Sequence, residues 1–198
     1  MDNSNNIEDL KRFLTIDEII EYSNAVPPPE IIWKSIPRNS FGTIFGQAKS
    51  GKTRLAEDFG FSVAAKLPTF LGYDINTKDD EKILIGNLEE SLYNRSNRQK
   101  TLFESFSDEQ RELIKNRLTI NGDIHGYFDD RESWNFLEKM IKESSPSIVI
   151  LDSLSHIAGG DIAEREKAIK VLKRLQTLQK ETSITLVVIH HTTKMRGD

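Results

Sequence analysis

The stretch that decides the fold is Gly46-Gln47-Ala48-Lys49-Ser50-Gly51-Lys52-Thr53. It matches G-x-x-x-x-G-K-[ST], a loop whose backbone N–H groups surround phosphate oxygens. An apolar run at 41–45 precedes the loop and predicts a strand, and apolar residues at helical spacing follow it. This order of strand, loop and helix would place a bound phosphate at a helix N-terminus, where the peptide dipoles favour negative charge.

The residue types in the loop predict how a nucleoside triphosphate would be held. We expect Lys52 to reach the β- and γ-phosphates and the Thr53 hydroxyl to ligate Mg²⁺. Lys49 lies in the variable part of the motif, and we expect its side chain to be solvated. ATP and Mg²⁺ are therefore the predicted cofactors. The predicted nucleotide-binding residues are Gly46, Gln47, Ala48, Lys49, Ser50, Gly51, Lys52, Thr53 and Arg54.

Strand-like and helix-like segments alternate along the rest of the chain. Apolar runs of strand length lie at 82–89, 147–152 and 184–189, and 117–121 is a further short strand-like segment. Segments with helical periodicity or composition separate them, at 91–116, 131–143 and 164–181. Strands that are apolar and β-branched throughout are typical of a parallel sheet covered on both faces. The sequence therefore predicts an α/β fold with a mostly parallel central sheet between helices.

The segment before the first core strand has a different composition. Thr15-Ile16-Asp17-Glu18 predicts the start of a short helix, and Pro27-Pro28-Pro29 predicts an extended stretch. We therefore divide the chain into an N-terminal arm at 1–38 and a core domain at 39–198. The sequence stops nine residues after Ile189, so we expect the core domain to be truncated at its C-terminal end.

Composition restricts the class of protein. At 198 residues with 37% hydrophobic and 29% charged residues, the chain has the make-up of one soluble globular domain. The net charge is −4 and the pI is about 5.7, so a nucleic-acid-binding face would have to be local. The absence of cysteine excludes disulfides and cysteine zinc sites. Because there is neither a long apolar run nor a signal peptide, we expect a cytoplasmic protein without membrane contact.

A carboxylate suited to metal binding ends the strand at 147–152. Asp152 would lie at the carboxyl edge of the sheet, which is where ligands of open α/β sheets bind. We expect Asp152 to hold Mg²⁺ together with Thr53, directly or through water.

The base that activates the attacking water must come from another strand, because Ser153 and not a glutamate follows Asp152. Glu89 and Glu90 end the run at 82–89 on the same edge, and a carboxylate there could orient and deprotonate the water. We favour Glu89, which continues directly from the strand, and Glu90 stays open as the alternative.

The last strand ends in His190-His191-Thr192-Thr193-Lys194. A polar side chain at this point could contact the γ-phosphate, and we assign that contact to His191. Adjacent residues of a strand face opposite sides, so the two histidines are poorly placed to share one metal. Lys194 and Arg196 could reach across a subunit interface as positive groups, or could lie on the surface as most such residues do.

Together these segments resemble the RecA-like ATPase superfamily. Within it they are most similar to hexameric replicative helicases of plasmid RepA type and to AAA-labelled relatives in phage and mobile elements. The resemblance covers about residues 30–195. The residues that carry it are Trp33, Ile36-Pro37, the loop at 46–53, Leu88-Glu89-Glu90-Ser91, Leu151-Asp152-Ser153-Leu154 and His190-His191-Thr192-Thr193-Lys194.

The resemblance implies a three-layer P-loop fold of RecA type, with the strand at 184–189 between the phosphate-loop strand and the strand that ends at Asp152. It implies a catalytic glutamate at Glu89 and a γ-phosphate sensor at His191. It also implies ATP at the subunit interfaces of a homo-oligomeric ring or filament, and single-stranded DNA contacted by central loops such as 155–163.

Two departures from the family pattern bear on function. The loop at 155–163 and the start of the following helix carry Asp161 and Glu164, with no Lys or Arg before Arg165, a poor surface for phosphate. The strands that usually follow the sensor are also missing. The first hypothesis is therefore an ATP-driven DNA motor or loader. The alternatives are a regulatory ATPase that controls assembly with a protein partner, and a module that binds ATP without turnover, against which Glu89 and His191 argue.

Overall fold

A five-stranded parallel sheet forms the centre of the computed structural model, which describes residues 13–122, 131–158 and 165–192. The strands are β1 (Ile31–Trp33), β2 (Ile36–Pro37), β3 (Phe41–Gln47), β4 (Thr69–Phe70), β5 (Tyr73–Asp74), β6 (Ile83–Asn87), β7 (Leu118–Ile120), β8 (Ile148–Asp152) and β9 (Thr185–Thr192). The helices are α1 (Ile16–Ala25), α2 (Lys52–Ala64), α3 (Leu92–Glu104), α4 (Asp108–Arg117), α5 (Arg131–Ser144), α6 (Leu154–Ile157) and α7 (Arg165–Thr182).

The order of the strands in the central sheet is β3-β9-β8-β6-β7, and each of these neighbours pairs in parallel. The expected position of β9, between the phosphate-loop strand β3 and the Asp152 strand β8, is therefore confirmed. The carboxyl ends of β3, β6, β8 and β9 meet at one edge because the strands run the same way. That edge carries the candidate site.

Alternate residues of each inner strand pack on opposite faces of the sheet. Ile85 and Ile150 join one buried cluster with side chains of α2 and α4, whereas Leu84 and Val149 join a second cluster with side chains of α5 and α7. Both faces exclude water, which explains why the strands are apolar throughout rather than alternating. The predicted three-layer α/β architecture is confirmed.

The chain divides into two compact units, Met1–Glu30 and Ile31–Asp198. In the described part of the first unit, the Thr15 side chain and Glu18 form a capping box at the start of α1, as the sequence predicts for this point. Residues 31–38 lie in the second unit, whereas the sequence-based division places them in the N-terminal arm. Within that unit Ile32 is 1% exposed, and the Trp33 ring lies 5.3 Å from the ring of Phe59.

The structure differs from the sequence prediction in three connections. The helical run expected at 91–116 is two helices, because Ser107 accepts a hydrogen bond from Gln110 N and starts α4 anew. The short pairs β1–β2 and β4–β5 are antiparallel and were not predicted. The loop expected at 155–163 begins inside α6, and its residues from 159 onward lie outside the described ranges. No helix in those ranges is long and apolar enough to cross a membrane.

Candidate active site

The phosphate loop joins the carboxyl end of β3 to the N-terminus of α2. Gly51 occupies the N-cap position with φ of +85°, a left-handed conformation that glycine adopts without a steric penalty. The first N–H groups of α2 have no partner within the helix and follow the loop directly, so they are available to a bound phosphate. Lys52 is 6% exposed, and its Nζ donates hydrogen bonds to the carbonyls of Gly46 (2.9 Å) and Gln47 (2.7 Å). The ammonium therefore lies inside the loop, where a bound phosphate would meet it.

One cleft of about 460 Å³ opens beside this loop. It brings the predicted metal, base and sensor positions together with most of the predicted nucleotide-binding positions. Gly46, Gln47 and Ala48 are not among the residues that line it. The lining residues are Lys49, Ser50, Gly51, Lys52, Thr53, Arg54, Glu89, Glu90, Arg98, Asp152 and His191.

Thr53 and Asp152 contact each other across the cleft. Thr53 Oγ1 donates a hydrogen bond to Asp152 Oδ2 at 2.5 Å. Asp152 is 3% exposed, and its Oδ1 atom has no hydrogen-bond partner among the residues that the structure describes. Burial raises the pKa of the Asp152 carboxyl, and the Thr53 hydrogen bond opposes that shift. A buried carboxylate oxygen without a partner beside a hydroxyl offers the hard oxygen ligands that Mg²⁺ prefers, so these residues fit the metal.

Glu89 and His191 contact each other beside Asp152. The distance from His191 Nε2 to Glu89 Oε2 is 2.9 Å, and that from His191 Nε2 to Asp152 Oδ1 is 4.0 Å. His191 reaches this position because β9 lies between β3 and β8, with His191 in register with Gly46 of the loop strand. One ligand atom from each of Glu89, Asp152 and His191 lies within 4.8 Å of the others. The base and sensor positions therefore face the metal position.

Glu90 points to a different partner. Its carboxylate accepts hydrogen bonds from Arg98 Nη1 (3.0 Å) and Nη2 (2.6 Å). These hydrogen bonds lower the pKa of Glu90. The two glutamates that the sequence left as alternatives are therefore distinguished by their contacts, since Glu89 contacts His191 and Glu90 is held by an arginine.

A buried amide positions the turn that carries both glutamates. Asn87 is 1% exposed, and its Oδ1 atom accepts hydrogen bonds from the backbone N–H groups of Glu89 (3.3 Å) and Glu90 (2.9 Å). Asn121 Nδ2 in turn donates to Asn87 O at 2.9 Å. Asn87, Asn121 and Arg98 were not predicted as part of the site. An asparagine within an apolar strand was a readable signal for Asn87, whereas nothing in the sequence sets Arg98 apart from the other charges of its helix.

Two further histidines lie in β9 and α6. His190 lies beside His191 in β9, and burial lowers its pKa. His156 lies in α6, where its Nδ1 is 3.0 Å from the buried Ser153 Oγ, and burial lowers its pKa as well. Lys194 and Arg196, like Asp161 and Glu164 of the expected DNA-contacting region, lie outside the described residues.

Comparisons with known proteins identify the family of the chain and a solved structure with a similar fold. The family model of the AAA domain matches residues 9–197, which is nearly the whole chain. No curated protein matches the chain. Among solved structures, the chain is similar to the KaiC-like protein PH0186 of the hyperthermophilic archaeon Pyrococcus horikoshii OT3. The identity is 18% and the TM-score 0.52, over 84% of this chain and 68% of that one, a likeness of fold alone. The chain therefore belongs to the AAA domain family, and its fold is that of the RecA-like P-loop ATPases.

Proposed function

We propose that this protein is an oligomeric, Mg²⁺-dependent ATPase that couples hydrolysis to binding of, or movement along, single-stranded DNA. The observation that carries the ATPase part is the convergence of Lys52, the Thr53–Asp152 pair and the Glu89–His191 pair in one cleft. A protein that only held the nucleotide would need the loop and a metal ligand, but no carboxylate beside a sensor.

The binding step uses the loop and two metal ligands. The backbone N–H groups of 46–53 and the Lys52 ammonium would hold the β- and γ-phosphates. Thr53 Oγ1 and Asp152 Oδ1 are the atoms that would hold Mg²⁺. The ion, when bound, would neutralise charge on the phosphate oxygens as the bond to the γ-phosphate breaks.

The chemical step uses Glu89 as general base. Water attacks the γ-phosphorus, the bond from that phosphorus to the β,γ-bridging oxygen breaks, and the proton of the water goes to the Glu89 carboxylate. His191 contacts Glu89 Oε2 in the structure, and we propose that Glu89 exchanges this contact for one to water. We infer that His191 turns to the γ-phosphate and thereby links the presence of that phosphate to the release of Glu89.

The charges in the cleft support the oligomeric part of the proposal. Arg98 is paired with two carboxylates and Arg54 with Asp58, which leaves Lys49 and Lys52 as the other described cations lining it. Transfer of a phosphoryl group is commonly helped by a further cation that a neighbouring subunit supplies. Lys194 and Arg196 are the residues that we propose for this role. The resemblance to ring-forming helicases supports the same arrangement.

The alternative function is a regulatory ATPase whose nucleotide state controls assembly with a protein partner. The net charge of −4 favours this alternative, because proteins that bind DNA usually present a basic face. The two functions share every residue of the cleft and differ only in what stimulates turnover.

The deciding experiment is steady-state ATP turnover with and without single-stranded DNA, in Mg²⁺ and in EDTA. We expect metal-dependent turnover that Lys52→Ala abolishes and that DNA stimulates several-fold. Lys115→Ala is a matched control, because Lys115 is an exposed lysine paired with Glu112 on α4. Turnover that is indifferent to DNA would favour the regulatory ATPase. Undiminished turnover by Lys52→Ala would remove the site assignment itself.

A further inference from the structure

Arg98 links the phosphate-loop helix to the glutamate turn. Its Nε and Nη2 atoms donate to the carboxylate of Glu57 on α2 at 2.8 and 3.1 Å. Its Nη1 and Nη2 atoms donate to Glu90 at 3.0 and 2.6 Å. A single guanidinium on α3 thus holds carboxylates from two other segments, and planar fork geometry makes arginine suited to this.

The Glu57 side of this link is buried and hydrogen-bonded. The Glu57 side chain is 2% exposed, and its Oε1 accepts a further hydrogen bond from Gln99 Nε2 at 2.9 Å. The Arg98 side chain is 23% exposed, so most of its surface is covered as well. Because Glu57 lies five residues after Lys52 on α2, the link is anchored to the helix that bears the phosphate loop.

We propose that Arg98 is a positioning residue, which holds Glu90 away from the metal and so directs Glu89 towards the attacking water. The inference rests on the proposed ATPase function. Leu88 N donates to Asp152 O at 2.6 Å, so the start of the turn is fixed to the metal-ligand strand. The hydrogen bonds from Arg98 to Glu90 fix the other end of the turn. Between these two points the Glu89 side chain faces His191 and Asp152.

Removal of Arg98 changes both charge and geometry in the turn. Glu90 would then lose the cation that holds it, next to Glu89, which already lies near Asp152. Like charges repel strongly in a partly desolvated site. Glu90 would be free to compete for the position of Glu89. The contacts of Lys52 with the loop do not involve Arg98, so affinity for the nucleotide should be preserved.

The test is a comparison of kcat and KM for ATP in Arg98→Ala, Arg98→Lys and the wild-type chain. We expect Arg98→Ala to lower kcat by about 100-fold with KM unchanged, as for a misplaced catalytic group. Arg98→Lys should lower kcat less than Arg98→Ala does, because its ammonium keeps the positive charge. Some loss should remain, because an ammonium cannot bind two carboxylates in parallel. Lys100→Ala is the matched control on the same helix, since Lys100 is 70% exposed and its described partner is Glu104. We expect that variant to behave as wild type.

A second variant guards against misfolding, because Arg98→Ala leaves Glu57 buried without its cation. Glu57→Gln combined with Arg98→Met removes both charges. The new amide oxygen on α2 can still accept from Gln99, and Glu90 is still released. We expect this double variant to fold and to show the same loss in kcat. Unchanged kcat in both, or a raised KM with unchanged kcat, would overturn the positioning role. A wild-type chain that does not hydrolyse ATP would instead refute the proposed function, which separates the two failures.

Discussion

Glu89 and Glu90 are adjacent residues with the same functional group, and their surroundings give them different chemistry. Glu89 contacts a histidine 2.9 Å away, beside an aspartate with an oxygen that has no described hydrogen-bond partner. Glu90 is hydrogen-bonded to Arg98, which lowers the pKa of Glu90 and makes it a weaker base. A general base needs access to the proton that it removes and some basicity, and Glu89 meets the first requirement better.

We therefore predict different effects for the two isosteric amides. Glu89→Gln should keep ATP binding and lose hydrolysis by about 10²–10⁴-fold, the usual contribution of a general base. Glu90→Gln should lose much less, since the oxygen of the substituted amide can still accept from Arg98. Single-turnover hydrolysis and equilibrium binding of ATP would be measured for both variants. A larger loss for Glu90→Gln than for Glu89→Gln would reverse the assignment.

The residues that the sequence could identify share one property, which is their place in a local pattern. Lys52 and Thr53 stand in a motif, and Asp152, Glu89 and His191 each end an apolar run. The alternation of strands and helices then places these ends at one edge, so the candidate site was predictable as a group. Arg98 lies in a helix with many charges, and its role depends on Glu57 and Glu90 in the folded chain.

At the scale of elements, the five strands of the central sheet were predicted and the strands of the two short antiparallel pairs were not. β4 and β5 contain too few residues to show a period, and their position depends on packing of Phe70 and Tyr73 against Trp33. The break between α3 and α4 did have a local signal, because Ser107 and Gln110 have the spacing of a capping box. The break was not predicted because charged residues on both sides of it give the segment the composition of one continuous helix.

Ser107 gives a test of this boundary. Its side chain accepts from Gln110 N at 3.3 Å, and Gln110 Oε1 accepts from Ser107 N at 3.0 Å. We predict that Ser107→Ala lowers the free energy of unfolding by about 0.5–2 kcal/mol, whereas Ser107→Gly costs only a few tenths. Urea unfolding followed by circular dichroism measures both. Equal stability of the alanine variant and the wild type would show that the capping box does not stabilise α4.

The packing of α2 on the sheet depends on Gly60. A Cβ atom at this position would lie 2.8 Å from Ile85 Cδ1 and 3.5 Å from Ile150 Cδ1. We predict that Gly60→Val destabilises the chain by about 1–3 kcal/mol, since extra methyl groups force neighbours out of their rotamers. Gly42→Val in β3 is the control, because a Cβ there meets nothing within 4 Å. Urea midpoints that fall equally for both variants would contradict close packing at Gly60.

At the scale of the whole molecule, the fold maintains a site whose buried carboxylate lowers the free energy of unfolding. The central sheet buries Asp152 at 3% exposure, burial raises the pKa of its carboxyl, and its Oδ1 has no partner within the described ranges. A buried polar atom without a partner costs about 1–3 kcal/mol. The apolar clusters on both faces of the sheet offset this cost, and proteins commonly give up some stability for a binding site in this way.

This balance predicts that Asp152→Asn separates stability from function. Without metal and nucleotide, the neutral amide should raise the free energy of unfolding by about 1 kcal/mol, because a buried amide costs less than a buried carboxylate even when its NH2 group takes the partnerless place of Oδ1, and an oxygen remains to accept from Thr53. With Mg²⁺ and ATP at about 100 times the dissociation constant, the wild-type chain should gain about 2.7 kcal/mol through linkage. The variant should lose the part of that gain that depends on Mg²⁺. Urea unfolding in Mg²⁺–ATP and in EDTA–ATP measures both effects. A variant that is less stable than the wild type without ligand, or that gains equally from Mg²⁺, would show that Asp152 is a structural carboxylate rather than a metal ligand.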